Sequence, residues 1–190
     1  MSKMVWDVTM SLDGFTAGPN VRAEEPMGDG GEKLHAWMEG TGPDGQADLA
    51  VFDKVNARVG ATIVGRRTFD LGLKNWGGTP WPGTPSFVVT HRPHEAFKGD
   101  NGGTFAFGGL EDMARRAREA AGDKNVLVLG ADVARQLLRA GHLDELWLHI
   151  SPILLGGGTP MFAGERAELV PLDKALMGTA AHHFFRVDMG

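Results

Sequence analysis

The stretch Ala61-Thr-Ile-Val-Gly-Arg-Arg-Thr-Phe-Asp70 contains a short apolar run, a glycine and two adjacent arginines. Its first four residues are typical of a strand that is buried on both faces of a parallel sheet. We expect a helix to begin near Thr68, so that its free N–H groups point towards the end of the strand. Gly65 permits close approach to the backbone, and Arg66 and Arg67 carry charged donors suited to phosphate. The stretch therefore predicts an anion-binding site.

Two further apolar runs, Ser86–Thr90 and Val126–Leu129, have the same character. The residues at their ends are Thr90, His91 and Arg92 in one case, and Gly130, Ala131 and Asp132 in the other. Ligands of open α/β sheets bind beyond the carboxyl ends of the strands, so the recurrence predicts a multiply phosphorylated ligand. Taken one at a time, these residues are equally typical of solvated surface charges and tight turns.

Helical patterns separate the predicted strands. They cover Asp48–Val59, Leu110–Ala121 and Asp132–Ala140, with Gly60, Gly122 and Gly141 at their ends. Strands are also expected at Val5–Met10, Asp144–Ile150 and His182–Asp188, the last two without a clear helix between them. This order predicts a mostly parallel α/β sheet with helices on both faces and an antiparallel C-terminal edge, as a single domain over residues 1–190.

Composition excludes several classes of function. The chain has 190 residues, a net charge of −5 and no cysteine, which excludes disulfides, thiol nucleophiles and cysteine-ligated metals. The acidic balance argues against nucleic-acid or membrane-surface partners. The N-terminus lacks a signal-peptide pattern and no apolar run is long enough for a membrane helix, so we expect a cytoplasmic protein.

Common catalytic motifs are absent from the sequence. It has no complete Gly-x-Gly-x-x-Gly fingerprint, P-loop, HExxH zinc motif or Gly-x-Ser-x-Gly elbow. We expect no metal site, because Pro93 separates His91 from His94 and further ligands are missing. His182 and His183 are adjacent in a strand pattern, which predicts one core and one surface histidine.

Five segments resemble the dihydrofolate-reductase-like proteins, in order along residues 4–188. The closest group is the stand-alone relatives of the reductase domain of bifunctional riboflavin-biosynthesis deaminase–reductases. The segments are Met10–Gly18, Gly65–Asp70, Phe87–Pro93, Leu137–Leu146 and His149–Phe162. The resemblance implies a three-layer α/β/α fold, NADPH as the hydride donor, a small-molecule substrate and a homodimer.

The resemblance also implies positions for the cofactor. Gly65, Arg66, Arg67 and Thr68 would line its phosphates, and Thr90, His91 and Arg92 would lie near the 2′-phosphate. The nicotinamide would lie near the turn 12–18, which includes Gly14, Thr16 and Gly18, with Leu129–Asp132 also at the cofactor. The loop 19–45 would be a mobile cover over the substrate, or else an ordinary disordered insertion.

One position departs from the family pattern, and another matches it but has a second interpretation. Leu129 stands where the family usually has the first of two glycines, and its side chain would crowd the nicotinamide or the pyrophosphate. Asp48 matches the carboxylate that grips the pterin in dihydrofolate reductases, but it also matches an ordinary helix N-cap. Asp48 and Asp13 are the candidate catalytic groups that could deliver or orient a proton, although Asp13 also suits a turn before Gly14.

The residues and the resemblance together predict an NADPH-dependent reductase of a small heterocyclic or sugar-bearing metabolite, similar to a pterin or a riboflavin precursor. One alternative is a homodimeric nucleotide-binding protein of the same fold without turnover. Another is an oligomeric interaction protein in which the ancestral site has decayed.

Overall fold

The computed structural model describes residues 2–41, 44–92 and 94–189. The strands are β1 (Met4–Ser11), β2 (Phe15–Ala17), β3 (Val59–Gly65), β4 (Ser86–Val89), β5 (Phe97–Lys98), β6 (Thr104–Gly108), β7 (Asn125–Leu129), β8 (Glu145–Ser151), β9 (Thr159–Pro160), β10 (Glu168–Pro171), β11 (Leu176–Met177) and β12 (Ala181–Asp188). The helices are α1 (Gly45–Asn56), α2 (Arg66–Trp76), α3 (Leu110–Ala121) and α4 (Ala131–Arg139), with a 3-10 helix at Gly31–Glu39. Within the described residues, no helix combines the length and apolarity that a membrane span requires.

The chain divides into two compact units. Unit 1 comprises the described residues of 2–6 and 58–144, and unit 2 comprises those of 7–57 and 145–189. The first part of β1 therefore belongs to unit 1 and the remainder to unit 2. The single domain expected over residues 1–190 stays a prediction.

Unit 1 contains the parallel part of the sheet. Its strands run in the order β1, β7, β3, β4, β6, all parallel, and β5 is antiparallel to β6. Helices α2, α3 and α4 pack on these strands. A buried apolar cluster between them contains Val64, Phe69, Val88 and Phe105. The strand β6 was not expected from the sequence, although it extends the parallel order by one position.

Unit 2 contains the antiparallel edge. Its strands run in the order β10, β12, β8, β1, and β12 is antiparallel to β8, β10 and β11. The register places His182 opposite His149 and Phe184 opposite Trp147. The 3-10 helix contacts β8 and α1. The predicted C-terminal strand pair is thus confirmed, whereas β10 and β11 were not expected.

The fold class agrees with the prediction. A mixed, mostly parallel sheet with antiparallel edge strands is flanked by helices, as expected for a dihydrofolate-reductase-like protein. The predicted helix Leu110–Ala121 is confirmed residue for residue.

The predicted bounds of three helices were wrong. Helix α1 begins at Gly45 instead of Asp48 and ends at Asn56, and Val59 and Gly60 lie in β3, where Val59 lies opposite Asn125. Helix α2 begins at Arg66 instead of Thr68, because Gly65 is its N-cap and both arginines are good helix formers. Helix α4 begins at Ala131 after the N-cap Gly130, so Asp132 lies inside the first turn and does not cap the helix.

Candidate functional site

The carboxyl ends of the unit 1 strands lie level with one another. Val64 lies opposite Leu129 in the β3–β7 ladder, and Gly65 lies opposite Val89 in the β3–β4 ladder. Val89 in turn lies opposite Gly108 of β6. The segments that follow these strands therefore leave the sheet at one common edge, which we call the carboxyl edge. It includes Gly65–Thr68, Thr90–Arg92, Gly108–Leu110 and Gly130–Asp132.

Three helices begin at the carboxyl edge, each after a glycine. The N-caps of α2, α3 and α4 are Gly65, Gly109 and Gly130, and no side chain caps any of them. The first N–H groups of a helix have no intrahelical partner, so uncapped N-termini present free donors and the positive end of the helix dipole. The carboxyl edge therefore has the donors that bind phosphate groups.

Gly130 could not be replaced by a larger residue without disturbing this edge. Its φ of 96° disfavours any side chain. A Cβ at this position would also overlap Thr68 Oγ1 on the first turn of α2. The glycine thus lets the β7–α4 turn lie directly against the start of α2.

The two arginines of α2 lie in its first turn. Arg67 is exposed, and Arg66 forms an ion pair with Asp70, in which Nε and the carboxylate oxygen are 2.8 Å apart. The Arg66 guanidinium also lies 5.8 Å from the centroid of the Phe69 ring. Positive charges at a helix N-terminus oppose the helix dipole and each costs about 0.3–1 kcal/mol. This first turn contains no acidic residue to offset that cost.

The segment after β4 turns sharply at the same edge. Thr90 is buried, and its Oγ1 accepts a hydrogen bond of 3.0 Å from the Arg92 backbone N–H. His91 and Arg92 are exposed. The Thr90 hydroxyl therefore holds a local turn that leaves the side chains of His91 and Arg92 at the surface. Pro93, which was expected to end this strand, lies outside the described residues.

Leu129 and Asp132 occupy different environments. Leu129 packs against the apolar cluster of Val64, Phe69, Val88 and Phe105. Asp132 is exposed and accepts a hydrogen bond of 2.9 Å from Gln136 Nε2. The packing of Leu129 gives its side chain a core role, and its crowding of a cofactor stays a prediction. Ala131 is buried.

The candidate residues near the first turn belong to unit 2 and are tied into its backbone. The exposed carboxylate of Asp13 accepts hydrogen bonds from the N–H groups of Leu155 at 3.1 Å and Gly156 at 2.7 Å. A hydrogen bond from Ser11, opposed by partial desolvation and helped by these amides, lowers the pKa of Asp13. Its ionised side chain therefore clamps the turn to the segment after β8. Gly14, with φ 89°, forms the turn itself.

Thr16 and Gly18 are likewise part of the local packing of unit 2. Thr16 Oγ1 donates to the Thr159 carbonyl at 3.3 Å. A Cβ at Gly18 would overlap the Asp29 carbonyl oxygen, so the glycine permits close packing of the following loop. These contacts give both residues a structural use, and their contact with a cofactor stays a prediction.

The described residues of the loop 19–45 adopt a folded structure. The Asp29 N–H donates to the Pro19 carbonyl at 2.8 Å, and the 3-10 helix buries Leu34 and Trp37. The disordered-insertion alternative therefore does not hold for these residues, while the proposed movement of the loop stays a prediction. Gly42 and Pro43 lie outside the described residues.

Asp48 is not a helix N-cap. The N-cap of α1 is Asp44, and Asp48 is fully buried one turn further on. Its carboxylate accepts hydrogen bonds from the Thr179 N–H at 2.9 Å and from His182 Nε2 at 2.8 Å. Burial alone would raise the pKa of Asp48, but these hydrogen bonds outweigh it and lower the pKa. Asp48 is therefore ionised at neutral pH.

A chain of buried polar contacts continues from Asp48 across unit 2. His182 and His149, both fully buried, have their Nδ1 atoms 2.7 Å apart, and His149 Nε2 lies 3.2 Å from Asp7 Oδ1. The Trp37 ring packs on both imidazoles, with centroid distances of 4.6 Å to His149 and 5.0 Å to His182. We call Asp48, His182, His149 and Asp7 the unit 2 network.

Burial lowers the pKa of His182 below its usual value of 6.5, although the Asp48 hydrogen bond works in the opposite direction. Burial likewise lowers the pKa of His35, on the neighbouring 3-10 helix. Both imidazoles are therefore neutral at pH 7. The described residues contain no group of histidine and acidic side chains arranged to hold a metal ion.

Asp7, His149 and Gly109 were not among the candidate residues predicted from the sequence. Asp7 interrupts the apolar run of β1, which was a usable signal, because a charged residue in a buried strand needs a partner. One of His182 and His183 was expected to lie in the core, and His182 is the buried one. The missing signal was the register that aligns it with His149.

The comparison with protein families agrees with this architecture. A family model described as the RibD C-terminal domain matches residues 2–178. The chain belongs to the RibD C-terminal domain family. An uncharacterized protein of Bacillus subtilis (strain 168), YwjB, is 24% identical over 160 residues, which is 84% of this chain and 82% of YwjB.

Solved structures of other proteins share the fold of this chain. A putative riboflavin biosynthesis protein from Shewanella sp. PV-4 has a TM-score of 0.73 and 23% identity, and the match covers 99% of each chain. A dihydrofolate reductase from Enterococcus faecalis, complexed with NADP(H), has a TM-score of 0.54 and 18% identity, over 98% of this chain and 95% of that one. These likenesses establish a dihydrofolate-reductase-like fold for the chain.

Proposed function

We propose that the chain is an NADPH-dependent reductase that transfers hydride to a small heterocyclic or sugar-bearing metabolite, similar to a pterin or a riboflavin precursor. The observation that carries the proposal is the carboxyl edge of unit 1, where three uncapped helix N-termini accompany Arg66, Arg67 and Arg92. Membership of the RibD C-terminal domain family supports a reductase-type activity.

The residues at the carboxyl edge fit the phosphates of NADPH. The N–H groups at the starts of α2 and α4 suit the pyrophosphate, and Gly130 removes the side chain that would stand between them. The exposed Arg92 and His91 suit the 2′-phosphate, which distinguishes NADPH from NADH. When bound, the nicotinamide supplies the hydride, and the protein binds and orients the cofactor.

Arg66 must exchange its ion pair with Asp70 for a cofactor phosphate when NADPH binds. Its ion pair with Asp70 is partly exposed, and such pairs contribute only about 0–1 kcal/mol. A hydrogen bond to a charged phosphate contributes about 1.5–3 kcal/mol, so the exchange favours the ligand.

Calorimetric titration of NADPH and NADH tests the assignment of the 2′-phosphate. The wild type should bind NADPH more tightly than NADH. Arg92→Ala should lose about tenfold or more in NADPH affinity and little in NADH affinity. Arg139→Ala, on the last turn of α4, is the matched control and should bind both as the wild type does. Equal affinity for the two cofactors in the wild type would contradict the proposal.

A second candidate is a nucleotide-binding protein of the same fold without reductase turnover. The observation that favours it is the burial of Asp48, whose carboxylate is satisfied by Thr179 and His182 instead of facing solvent. This candidate predicts NADPH binding with no NADPH oxidation across a panel of pterins and pyrimidines. Oxidation with any member of the panel rules it out.

A further inference from the structure

The antiparallel strands of unit 2 have two faces of different composition. Residues that lie directly opposite each other share a face, so Phe185 lies with Leu146, and Leu169 lies with Val187. One face, which we call the helix face, carries the buried histidine pair. It also carries every Asp, Glu, Lys and Arg of β8, β10 and β12, namely Glu145, Glu168, Arg186 and Asp188.

The other face, which we call the free face, has no Asp, Glu, Lys or Arg among its described strand residues. It consists of alternate residues of β8 and β12, from Leu146 to Ile150 and from Ala181 to Val187, together with Leu169, Pro171 and Met177. The face of an antiparallel sheet that meets water is normally polar. The free face reverses that pattern, because the polar and charged residues lie on the helix face.

Both described helices of unit 2 pack on the helix face. Trp37 of the 3-10 helix packs on both imidazoles, and Lys54 Nζ of α1 lies 4.1 Å from the centroid of the Phe184 ring. No described helix of unit 2 therefore covers the free face. Towards the edge of the sheet its side chains are accessible, with Leu169 39% exposed and Met177 69% exposed. An apolar face that stays accessible is typical of a protein–protein contact.

We propose that the free face packs against the free face of a second copy of this chain, as a two-fold dimer. A two-fold interface brings the same surface of both copies together, so that surface must be complementary to itself. The free face meets this condition, because its described strand residues lack the charged groups that would meet their own sign. An anionic partner such as nucleic acid or a membrane surface would find no Lys or Arg among these residues.

The dimensions of the free face suit such a contact. Strand β12 has 8 residues, which makes the face about 26 Å long. The three positions taken by β8, by β12 and by the edge strands β10 and β11 make it about 14 Å wide. Two such faces packed about 10 Å apart would form an apolar layer between the sheets. With a polar rim, this layer can form the centre of a standard interface, which buries about 800 Å² on each partner.

Pairing of two copies along the open edge of β10 is the less suitable arrangement. The Leu172 N–H donates to the Phe184 carbonyl at 2.9 Å, so the backbone of the alternate residue Pro171 is directed away from β12 towards the open edge. Proline has no N–H to donate there, and a proline at such a position protects a sheet edge from further strands. The second copy therefore fits the face of the sheet better than its edge.

Sedimentation equilibrium of the full chain tests the dimer. The wild type should sediment at twice the single-chain mass of 20.3 kDa. Leu169→Glu and Met177→Glu should each raise the dissociation constant by about 100-fold or more, because the symmetry places every new carboxylate in the apolar layer twice. Both side chains are accessible within one chain, so the circular dichroism spectra of the variants should match that of the wild type.

Val170→Glu and Leu176→Glu are the matched controls. Each is the sequence neighbour of a test residue on the same strand and lies on the helix face, and the two side chains are 37% and 40% exposed. Both controls should dimerise as the wild type does. A wild type that sediments at the single-chain mass would overturn the proposal, and so would controls that dissociate as readily as Leu169→Glu and Met177→Glu.

Oxidation of Met177 by hydrogen peroxide, followed by mass spectrometry, gives a second measurement. In the dimer the second copy covers Met177, so this side chain should be oxidised several-fold faster in Leu169→Glu than in the wild type or in Val170→Glu. Equal rates in the three proteins would contradict coverage of the free face. Neither measurement needs a cofactor or a substrate, so the dimer is tested independently of the proposed reductase function.

Discussion

Thr68 Oγ1 occupies the space in which a Cβ at Gly130 would lie. This contact joins the first turn of α2 to the turn that begins α4. It therefore fixes the position of one proposed phosphate-binding N-terminus relative to the other. The substitution Gly130→Ala should therefore disturb both the fold and the binding of a dinucleotide.

The stability of Gly130→Ala can be compared with that of Gly141→Ala. Both glycines have positive φ, at 96° and 72°, but a Cβ at Gly141 meets nothing within 4 Å. The control should lose about 1–2 kcal/mol of unfolding free energy through backbone strain. Gly130→Ala should lose a further 1–3 kcal/mol or so through overlap, measured by urea unfolding. Equal losses would show that Thr68 moves aside without cost.

Replacing Arg67 should separate stability from binding. Arg67 is exposed in the first turn of α2, where the helix dipole disfavours a cation. Arg67→Gln should raise the unfolding free energy by about 0.3–1 kcal/mol and weaken NADPH binding. The control Lys74→Gln, in the last turn of the same helix, removes a favourable dipole interaction. It should lower stability slightly and leave NADPH binding unchanged.

The opposite changes in unfolding free energy of Arg67→Gln and Lys74→Gln test whether Arg67 lowers stability in favour of NADPH binding. If Arg67→Gln is both more stable and equally good at binding NADPH, the Arg67 side chain does not contact the cofactor.

Asp48→Asn should destabilise unit 2 in a pH-dependent way. The folded-state pKa of Asp48 lies below its usual value of 3.8, so its stabilising effect is present above about pH 4 and is lost as the pH falls through the folded pKa. At neutral pH the variant should lose about 1.5–3 kcal/mol, because hydrogen bonds to a charged acceptor weaken.

Urea unfolding at several pH values measures this effect, with Asp53→Asn on the same helix as the control. Asp53 is exposed, so its variant should stay within about 0.5 kcal/mol of the wild type. A loss in Asp48→Asn that persists undiminished below pH 3 would contradict an ionised Asp48.

His182 should make the protein less stable in mild acid. Its folded-state pKa lies below 6.5, so the unfolded chain takes up a proton that the folded chain refuses, and stability falls as the pH drops below 6.5. His182→Asn should reduce the slope of the unfolding free energy against pH by up to about 1.4 kcal/mol per pH unit.

The neighbouring substitution His183→Asn provides the comparison for His182. His183 lies on the other face of β12, where its ring stacks on Phe185. A wild-type decline that remains equally steep in His182→Asn would mean that other groups cause it.

The carboxyl edge could be predicted from the sequence because its signals are local. The apolar runs before Gly65, Thr90 and Gly130 specify buried strands, and parallel strands place their carboxyl ends together. The starts of α2 and α4 were predicted incorrectly, because Gly65 and Gly130 are the N-caps. Asp132, a better capping residue by type, lies within α4. Backbone geometry after each strand decided these starts, and single residue types do not encode it.

The unit 2 network could not be predicted because it depends on distant pairings. His182 meets His149 only through the β12–β8 register, and Asp48 on α1 contacts His182 alone of the two histidines. Residue spacing reveals which face a side chain occupies, but it does not reveal which side chain of another strand lies opposite. Asp48 was considered as a substrate ligand or an N-cap, and the structure gives it a third environment.

Backbone amide NMR of the full chain during NADPH titration tests the central claim most directly. The account predicts that the largest shifts occur at the carboxyl edge, in Gly65–Thr68, Thr90–Arg92, Gly109–Leu110 and Gly130–Asp132. Gly122 and Gly141, which follow the C-terminal ends of α3 and α4, should not shift. Large shifts at those two glycines with none at the carboxyl edge would contradict it.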